Sequence, residues 1–186
     1  GSGQRLLVLV NDLLDLSKLE AGKMSFEFSF HNLQTLADEV LRELRPLLLD
    51  KKLRYELKLP DELPLVRCDS GRMSQVVRNL LSNAIKFSPA EQMISLTFKV
   101  VTLFNHTAQQ GVLLKVRDRG LGVPADELEL IFDKFVQSSK TKSGAGGTGL
   151  GLAICREIVA GHGGWIRARN HEDGGAVFEV FLPLSH

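Results

Sequence analysis

Ten of the 17 glycines fall between Gly144 and Gly175, and the densest run, Gly144-Ala145-Gly146-Gly147-Thr148-Gly149-Leu150-Gly151, stands directly before an apolar stretch of helical period. Glycine loses more conformational freedom on folding than any other residue, so such a run cannot be the interior of a helix or strand. It must be a flexible segment that ends at a helix start. The run formally contains G-x-G-x-x-G, but a dinucleotide-binding fingerprint follows a strand and has an acidic residue about 20 positions on. Here the polar run Ser138 to Ser143 precedes it and the region around Gly164 holds no acid, so that reading fails. No G-x-x-x-x-G-K-[ST] phosphate loop is present either. What remains is a flap leading into a helix whose first amides, at Gly149, Leu150 and Gly151, are free to bind phosphate.

The rest of the composition narrows the class. With 186 residues, 44% of them hydrophobic and 24% charged, the chain fits one compact domain with or without a short appendage, and disorder is excluded as its main state. Its 23 basic and 22 acidic residues leave a net charge of +1, too little for a bulk field that would attract nucleic acid or an anionic membrane, and no nucleic-acid partner is expected. No apolar run approaches the roughly 20 residues of a spanning helix, and the start lacks the apolar core of a signal peptide. Cys68 and Cys155 form neither a C-x-x-C pair nor a His/Cys cluster, which argues against a disulfide framework and a zinc site and for a reducing compartment. A cytoplasmic location is expected for this domain, within a parent protein that is membrane-anchored or free.

Gly1-Ser2-Gly3 resembles a cloning remnant, and residues 4–22 read as a helix with an apolar stripe at Leu6, Leu9/Val10, Leu13, Leu16 and Leu19, stopped by Gly22. The stripe either meets a partner helix or packs on this chain's own core. From residue 23 onward the pattern predicts a strand over Met24 to Phe30 and a helix from Leu33 to about Leu49 capped by Asn32. A strand from Tyr55 to Leu59 follows, then a helix capped by Asp69 or Ser70 that runs to Phe87. Met93 to Phe104 and Gly111 to Val116 form a hairpin around the polar loop 105–110, and Pro124 opens a short helix through Phe132. A helix from Leu150 to Ala160 and strands near Trp165 to Arg169 and Ala176 to Leu182 complete the chain. Paired strands with helices between them predict a two-layer α/β sandwich with a mixed sheet, preceded by one N-terminal helix.

At about 100° per residue, Arg72, Gln75, Asn79, Asn83 and Lys86 share one narrow face of the helix after Asp69, opposite Met73, Val77, Leu80, Leu81 and Ala84. Two asparagines cost helix propensity where Glu or Lys would serve a solvated face equally well. An amide oxygen ligates Mg²⁺ without adding charge and Lys86 supplies a cation, so this face suits a metal-bound polyphosphate. Asp118, at a strand end and followed by Gly120 and Gly122, can accept a hydrogen bond from the adenine 6-amino group, while guanine would set a 6-oxo acceptor against the same charge. The two glycines let the backbone approach a planar ring.

These motifs, in this order, resemble the catalytic and ATP-binding domain of sensor histidine kinases, in the superfamily shared with gyrase and heat-shock chaperone ATPases (GHKL, with the Bergerat-type ATP-binding fold). Leu13 to Lys23 is similar to the end of the second dimerisation helix, and Asn79 to Phe87 to the asparagine box. Asp118 to Gly122, Gly147 to Leu152 and Gly174-Gly175 match the three glycine boxes, and Ile131 to Phe135 the phenylalanine box. The resemblance implies that residues 4–22 are a dimerisation-helix remnant and 23–186 the catalytic domain. It implies that Asp118, with Gly120 and Gly122, reads adenine and that Asn83 holds Mg²⁺. Asn79 and Lys86 contact the phosphates as the catalytic pair, Thr148, Gly149, Leu150 and Gly151 bind the nucleotide at the start of the following helix, and Gln137 to Thr148 is the ATP lid. Arg119, where Asn is commoner, and Ala176, where Ser or Thr is usual, depart from the pattern.

The implied function is phosphoryl transfer in a two-component phosphorelay, from ATP to a histidine on a dimerisation helix and then to a response-regulator receiver domain, with a homodimer as the intact kinase. None of His31, His106, His162, His171 and His186 has the acidic neighbour and helical setting of a phosphoacceptor, so this chain is expected to lack its own substrate histidine. The alternatives are a gyrase-type ATPase, whose members carry Glu where Asn79 stands, and a nucleotide-sensing interaction module without turnover.

Overall fold

The computed structural model describes residues 2–139 and 148–184. In chain order the helices are α1 (Ser2–Glu20), α2 (Leu33–Glu43), α3 (Arg45–Asp50), α4 (Ser70–Phe87) and α5 (Gly151–Gly161). The strands are β1 (Ser29–His31), β2 (Arg54–Lys58), β3 (Val66–Cys68), β4 (Met93–Asn105), β5 (Thr107–Arg117), β6 (Trp165–Asn170) and β7 (Ala176–Pro183). Strands β2-β4-β5-β7-β6 form a five-stranded sheet in that order, parallel only between β2 and β4, and β1 pairs with β3 in a separate ribbon. The two-layer α/β sandwich with a mixed sheet is therefore the observed architecture.

The core lies between one sheet face and α2, α4 and α5. Residues alternate along each strand, so Leu96 and Phe98 of β4, Val112, Leu114 and Val116 of β5, and Phe178 and Val180 of β7 point to the helices. From α4, Met73, Val77, Leu80 and Leu81 answer them, each with 2% exposure or less. Asp69 starts α4: its Oδ1 accepts the Arg72 amide at 3.0 Å, which settles the choice between Asp69 and Ser70. The far end is held from outside, because Lys51 Nζ donates to the carbonyls of Ile85, Lys86 and Ser88 at 2.8, 3.1 and 2.6 Å. A cation on the last carbonyls of a helix satisfies orphan acceptors and opposes the macrodipole.

Several expectations are corrected. The stretch from Leu33 to Leu49 is two helices, broken at Leu44, because Pro46 lacks an amide hydrogen and starts a new turn instead of continuing the old one. The strand over Met24 to Phe30 shrinks to Ser29–His31. Phe26 and Phe28 spend their alternation on His162, each 5.1 Å from its ring, while Phe30 is exposed. The hairpin needs no polar loop, since β4 and β5 stay paired to Asn105 and Thr107 and His106 alone turns the chain at φ +66°. The helix after Pro124 is two separate 3₁₀ turns, Ala125–Glu127 and Leu130–Phe132.

The stripe of the N-terminal helix packs only in part on this chain's own core. Leu16 is buried, and Leu9 and Leu19 pack against the core, while Leu6, Leu7, Val10, Leu13 and Leu14 stay exposed. Polar contacts hold it down: Arg72 meets Asp15 at 3.5 Å and Lys134 meets Glu20 at 2.7 Å.

Both cysteines are 0% exposed, and burial pushes their thiols up, to about 11 for Cys68 and about 12 for Cys155. The folded chain should therefore resist an aromatic disulfide reagent at neutral pH and release two equivalents only on unfolding. Fast reaction of either thiol in the native state would contradict this packing.

Candidate functional site

A cavity of about 770 Å³ opens between α4, the start of α5, the β5 end and α1. Asn79, Asn83 and Lys86 line it from α4, Asp118 and Gly122 from the segment after β5, and Thr148, Gly149 and Gly151 from the approach to α5. Eight of the ten expected nucleotide-contacting residues thus share one wall-to-wall space. Gly120 and Leu150 do not line it, and Leu150 is wholly buried. The polar face of α4 divides: Asn79, Asn83 and Lys86 reach the cavity, whereas Gln75 and Arg72 turn to Asp15 of α1, at 3.5 Å each.

Asp118 is 5% exposed. Its Oδ1 accepts the amides of Gly120 at 2.9 Å and Ala176 at 3.1 Å, and Oδ2 has no partner among the described residues. Burial raises its pKa above the ordinary carboxylate value, and the two amides and the charges of Arg117 and Arg119 offset only part of that rise. The glycines are there because nothing else fits. A Cβ on Gly175, at φ +83°, would stand 2.1 Å from the Asp118 carbonyl oxygen, and one on Gly120 would stand 2.3 Å from the carbonyl oxygen of Phe87. Gly175→Ala should therefore cost roughly 2 kcal/mol or more of stability and tilt Asp118, which a denaturant melt and a nucleotide titration on the same variant would reveal. An unchanged midpoint would show that the turn relaxes freely.

At the other end, Asn79 Nδ2 lies 3.4 Å from the Gly151 carbonyl and 3.5 Å from Cys155 Sγ, tying α4 to the first turn of α5. Asn83 makes no hydrogen bond and Lys86 no ion pair among the described residues, although each is half-buried. Burial lowers the pKa of Lys86. A partly desolvated cation with no carboxylate beside it invites an anion. Thr148 lines the cavity, and its Oγ donates to Asp12 Oδ2 at 3.0 Å and accepts the Leu150 amide at 3.2 Å. Of the three helix-start amides expected to be free, that of Leu150 is therefore engaged. Phe135, at φ +62°, packs on Gly149 and donates its amide to the Gly149 carbonyl at 2.8 Å, which joins the phenylalanine box to the flap's end. Most of the lid, 140–147, lies outside the described residues, and its entry is tied by Ser139 to Glu127 at 3.1 and 2.9 Å.

Asp12 is the residue that sequence reasoning missed. It lines the cavity from α1, and burial raises its pKa, with Asp15 adding to the rise and the Thr148 hydroxyl opposing it. Its spacing from Leu9, Leu16 and Leu19 places it on the inward face of α1, a signal present in the sequence but hidden while the stripe's partner was open. Arg119 leaves the pocket altogether, reaching the Met93 carbonyl and Ser95 Oγ, so that departure from the usual asparagine does not touch the ring site. The histidines fit structural roles. His162 is 1% exposed, donates from Nδ1 to the Ile158 carbonyl at 2.7 Å and accepts the Asp69 amide at Nε2 at 3.0 Å; His31 ends β1 with Nε2 2.7 Å from Ser29 Oγ, and His171 Nδ1 accepts the Asp173 amide in the turn before Gly174.

Residues 68–186 match the family described as histidine kinase-, DNA gyrase B-, and HSP90-like ATPase. The chain is 37% identical over 182 residues to hybrid signal transduction histidine kinase D of Dictyostelium discoideum, covering 97% of this chain but 12% of that protein. Its structure is similar to that of full-length ShkA in complex with AMPPNP, with a TM-score of 0.82 and 30% identity, over 98% of this chain and 36% of the other. It is also similar to histidine kinase ThkA in complex with response regulator protein TrrA, with a TM-score of 0.74 and 27% identity, over 99% and 48%. The chain thus spans less than half the length of each of these proteins. The asparagines of α4, the acid after β5 and the glycine-rich entry to α5 meet in one cavity within a fold shared with these kinases, and the chain belongs to the histidine kinase-, gyrase B- and HSP90-like ATPase family.

Proposed function

We propose that this chain is the catalytic and ATP-binding part of a sensor histidine kinase, which passes the γ-phosphoryl group of ATP to a histidine on a dimerisation helix outside residues 23–186, and from there to a receiver-domain aspartate. The observation that carries the reading is the two-ended cavity: a buried carboxylate whose Oδ2 has no partner among the described residues at Asp118, and, at Lys86 beside Asn83 and Asn79, a cation that caps the Phe87 ring at 5.6 Å but makes no ion pair among the described residues. An adenine amino group answers the first and a polyphosphate the second. Asp118 Oδ2 accepts from the base, Lys86 neutralises phosphate charge, and Asn79 keeps the α5 start in place against α4.

Mg²⁺ fits the residues present. Among the described residues no group of three His, Cys, Asp or Glu forms a cation cage, and the unpartnered Asn83 amide is the donor beside Lys86. That suits an ion held by one protein oxygen, phosphate oxygens and water. When bound it would neutralise phosphate charge.

Asn79 stands where the gyrase-type relatives carry Glu, and an amide cannot take a proton from water at neutral pH. The cavity's carboxylates are Asp118, at the base end, and Asp12, held by Thr148. Slow hydrolysis and phosphoryl transfer to a separate acceptor follow. The exposed stripe Leu6, Leu7, Val10, Leu13 and Leu14 supports α1 as part of a dimerisation hairpin in a homodimer, with residues 4–22 as that remnant. No described helix is long and apolar enough to cross a membrane. The cytoplasmic location proposed for this domain rests instead on its likeness to sensor histidine kinase catalytic domains.

The test is incubation with γ-labelled ATP, with and without a separately prepared histidine-bearing dimerisation domain. Label should appear on the added domain only, and Asn83→Ala should abolish it. A stable phosphohistidine on this chain would falsify the reading, and brisk phosphate release without transfer would move it to the ATPase branch.

A further inference from the structure

The sheet face turned away from the cavity is where this nearly neutral chain collects positive charge. Because Leu96, Phe98, Val112, Leu114, Val116, Phe178 and Val180 point to the helices, their strand neighbours point outward. In the paired register Lys58, Thr97, Lys115, Glu179 and Arg167 make one row across all five strands, and Ser95, Arg117, Val177 and Arg169 lie in the next. With Lys99 beside them, six cations face two carboxylates, Glu56 and Glu179. The rest of the chain holds more acid than base.

The cations are also preorganised. Glu179 is 2% exposed and lies under them, with Arg169 Nε at 2.7 Å, Arg167 Nε at 3.4 Å and Lys115 Nζ at 3.8 Å. Burial tends to raise the pKa of Glu179, yet the Arg169 hydrogen bond and the charges of Arg167 and Lys115 bring it below its ordinary value. One carboxylate cannot neutralise three cations. Arg117 Nε is buried and has no partner among the described residues. Holding such side chains in place beforehand lowers the entropy lost when a partner arrives.

We propose that this face docks a carboxylate-rich segment of a partner protein laid across the strands. A bilayer is disfavoured because Leu113, Val177 and Phe181 are at most 8% exposed, so no apolar anchor enters the lipid. A nucleic acid is disfavoured because the Arg167 guanidinium caps Trp165 at 4.6 Å and Trp165 stacks on Phe181, which removes the ring platform for bases. Fixed guanidinium groups favour the planar, bidentate geometry of carboxylates.

The probe is fluorescein-labelled poly-L-glutamate, read by anisotropy. Binding should weaken roughly tenfold when ionic strength rises from about 0.05 to about 0.5 M, and by a similar factor in Lys58→Glu/Lys99→Glu/Arg167→Glu. Affinity for an ATP analogue, measured on the same samples, should not change, so failure here stands apart from failure of the kinase reading. If the triple variant melts early, Lys58→Gln/Lys99→Gln should still lose about threefold. Undiminished binding by both variants would overturn the proposal. So would tighter binding to duplex DNA or to phosphatidylserine-containing vesicles than to the peptide, or self-association of the unmodified chain that the triple variant abolishes.

Discussion

Replacing Asp118 by asparagine is expected to erase the preference for ATP over GTP and to weaken ATP binding roughly tenfold or more, the equivalent of about 1–3 kcal/mol for a buried polar mismatch. The variant should still fold. Its Oδ1 can accept the Gly120 and Ala176 amides as the carboxylate does, and the buried charge is gone. What changes is the free side of the group: an acceptor becomes an N–H donor, which repels the adenine amino group and suits the guanine 6-oxo group. Acid should mimic the substitution. The folded pKa of Asp118 is raised, so ATP affinity should begin to fall, as pH drops, above the range of an ordinary carboxylate at 3.8. Stability responds with the opposite sign. A carboxyl that binds its proton more tightly when folded costs stability at neutral pH, and the cost is relieved as pH falls through the folded pKa. Calorimetric titration with both nucleotides across pH checks this, and equal affinity in the unmodified chain would sink the base-reading role.

Asp12→Asn should strengthen binding of an ATP analogue about tenfold while leaving adenosine unaffected. The carboxylate of Asp12 lines the same cavity as Lys86 and Asn83 and is anchored on Thr148, so a triphosphate must approach a like charge. Two unit charges about 10 Å apart at an effective dielectric of about 20 interact by roughly 1.7 kcal/mol, and the asparagine keeps the Thr148 hydrogen bond while removing the charge. Adenosine carries no phosphate and reports any purely structural change. Competition binding with both ligands decides the outcome, and a parallel gain for adenosine would mean that α1 blocks the pocket by bulk alone.

The residues at the two ends of the cavity were legible because each was a local anomaly. Asparagines on a helix face where Glu or Lys would cost less, an acid followed by two glycines, and glycines crowded before a helix start all violate local preference. The elements that failed did so for nonlocal or competing reasons. Pro46 overrode the apolar period of α2, the pairing of β4 with β5 carried both strands through residues that look like a loop, and Phe26 and Phe28 found His162 instead of a neighbouring strand. Lys51 could not be read at all, since its acceptors lie 34 to 37 residues away on α4.

By itself the sequence determined the sandwich, the order of its motifs and most of the side chains that meet in the cavity, since periodicity and glycine placement act over a few residues. The tertiary structure alone decided which polar groups stay unpaired. It engaged Thr148 with Asp12 of α1 and with the Leu150 amide, left Asn83, Lys86 and one oxygen of Asp118 without a hydrogen-bond or ion-pair partner among the described residues, brought Asp12 to the cavity, and gathered cations from β5 and β6 over Glu179 of β7. Pairing across the fold depends on distances between distant segments, and no local pattern encodes those.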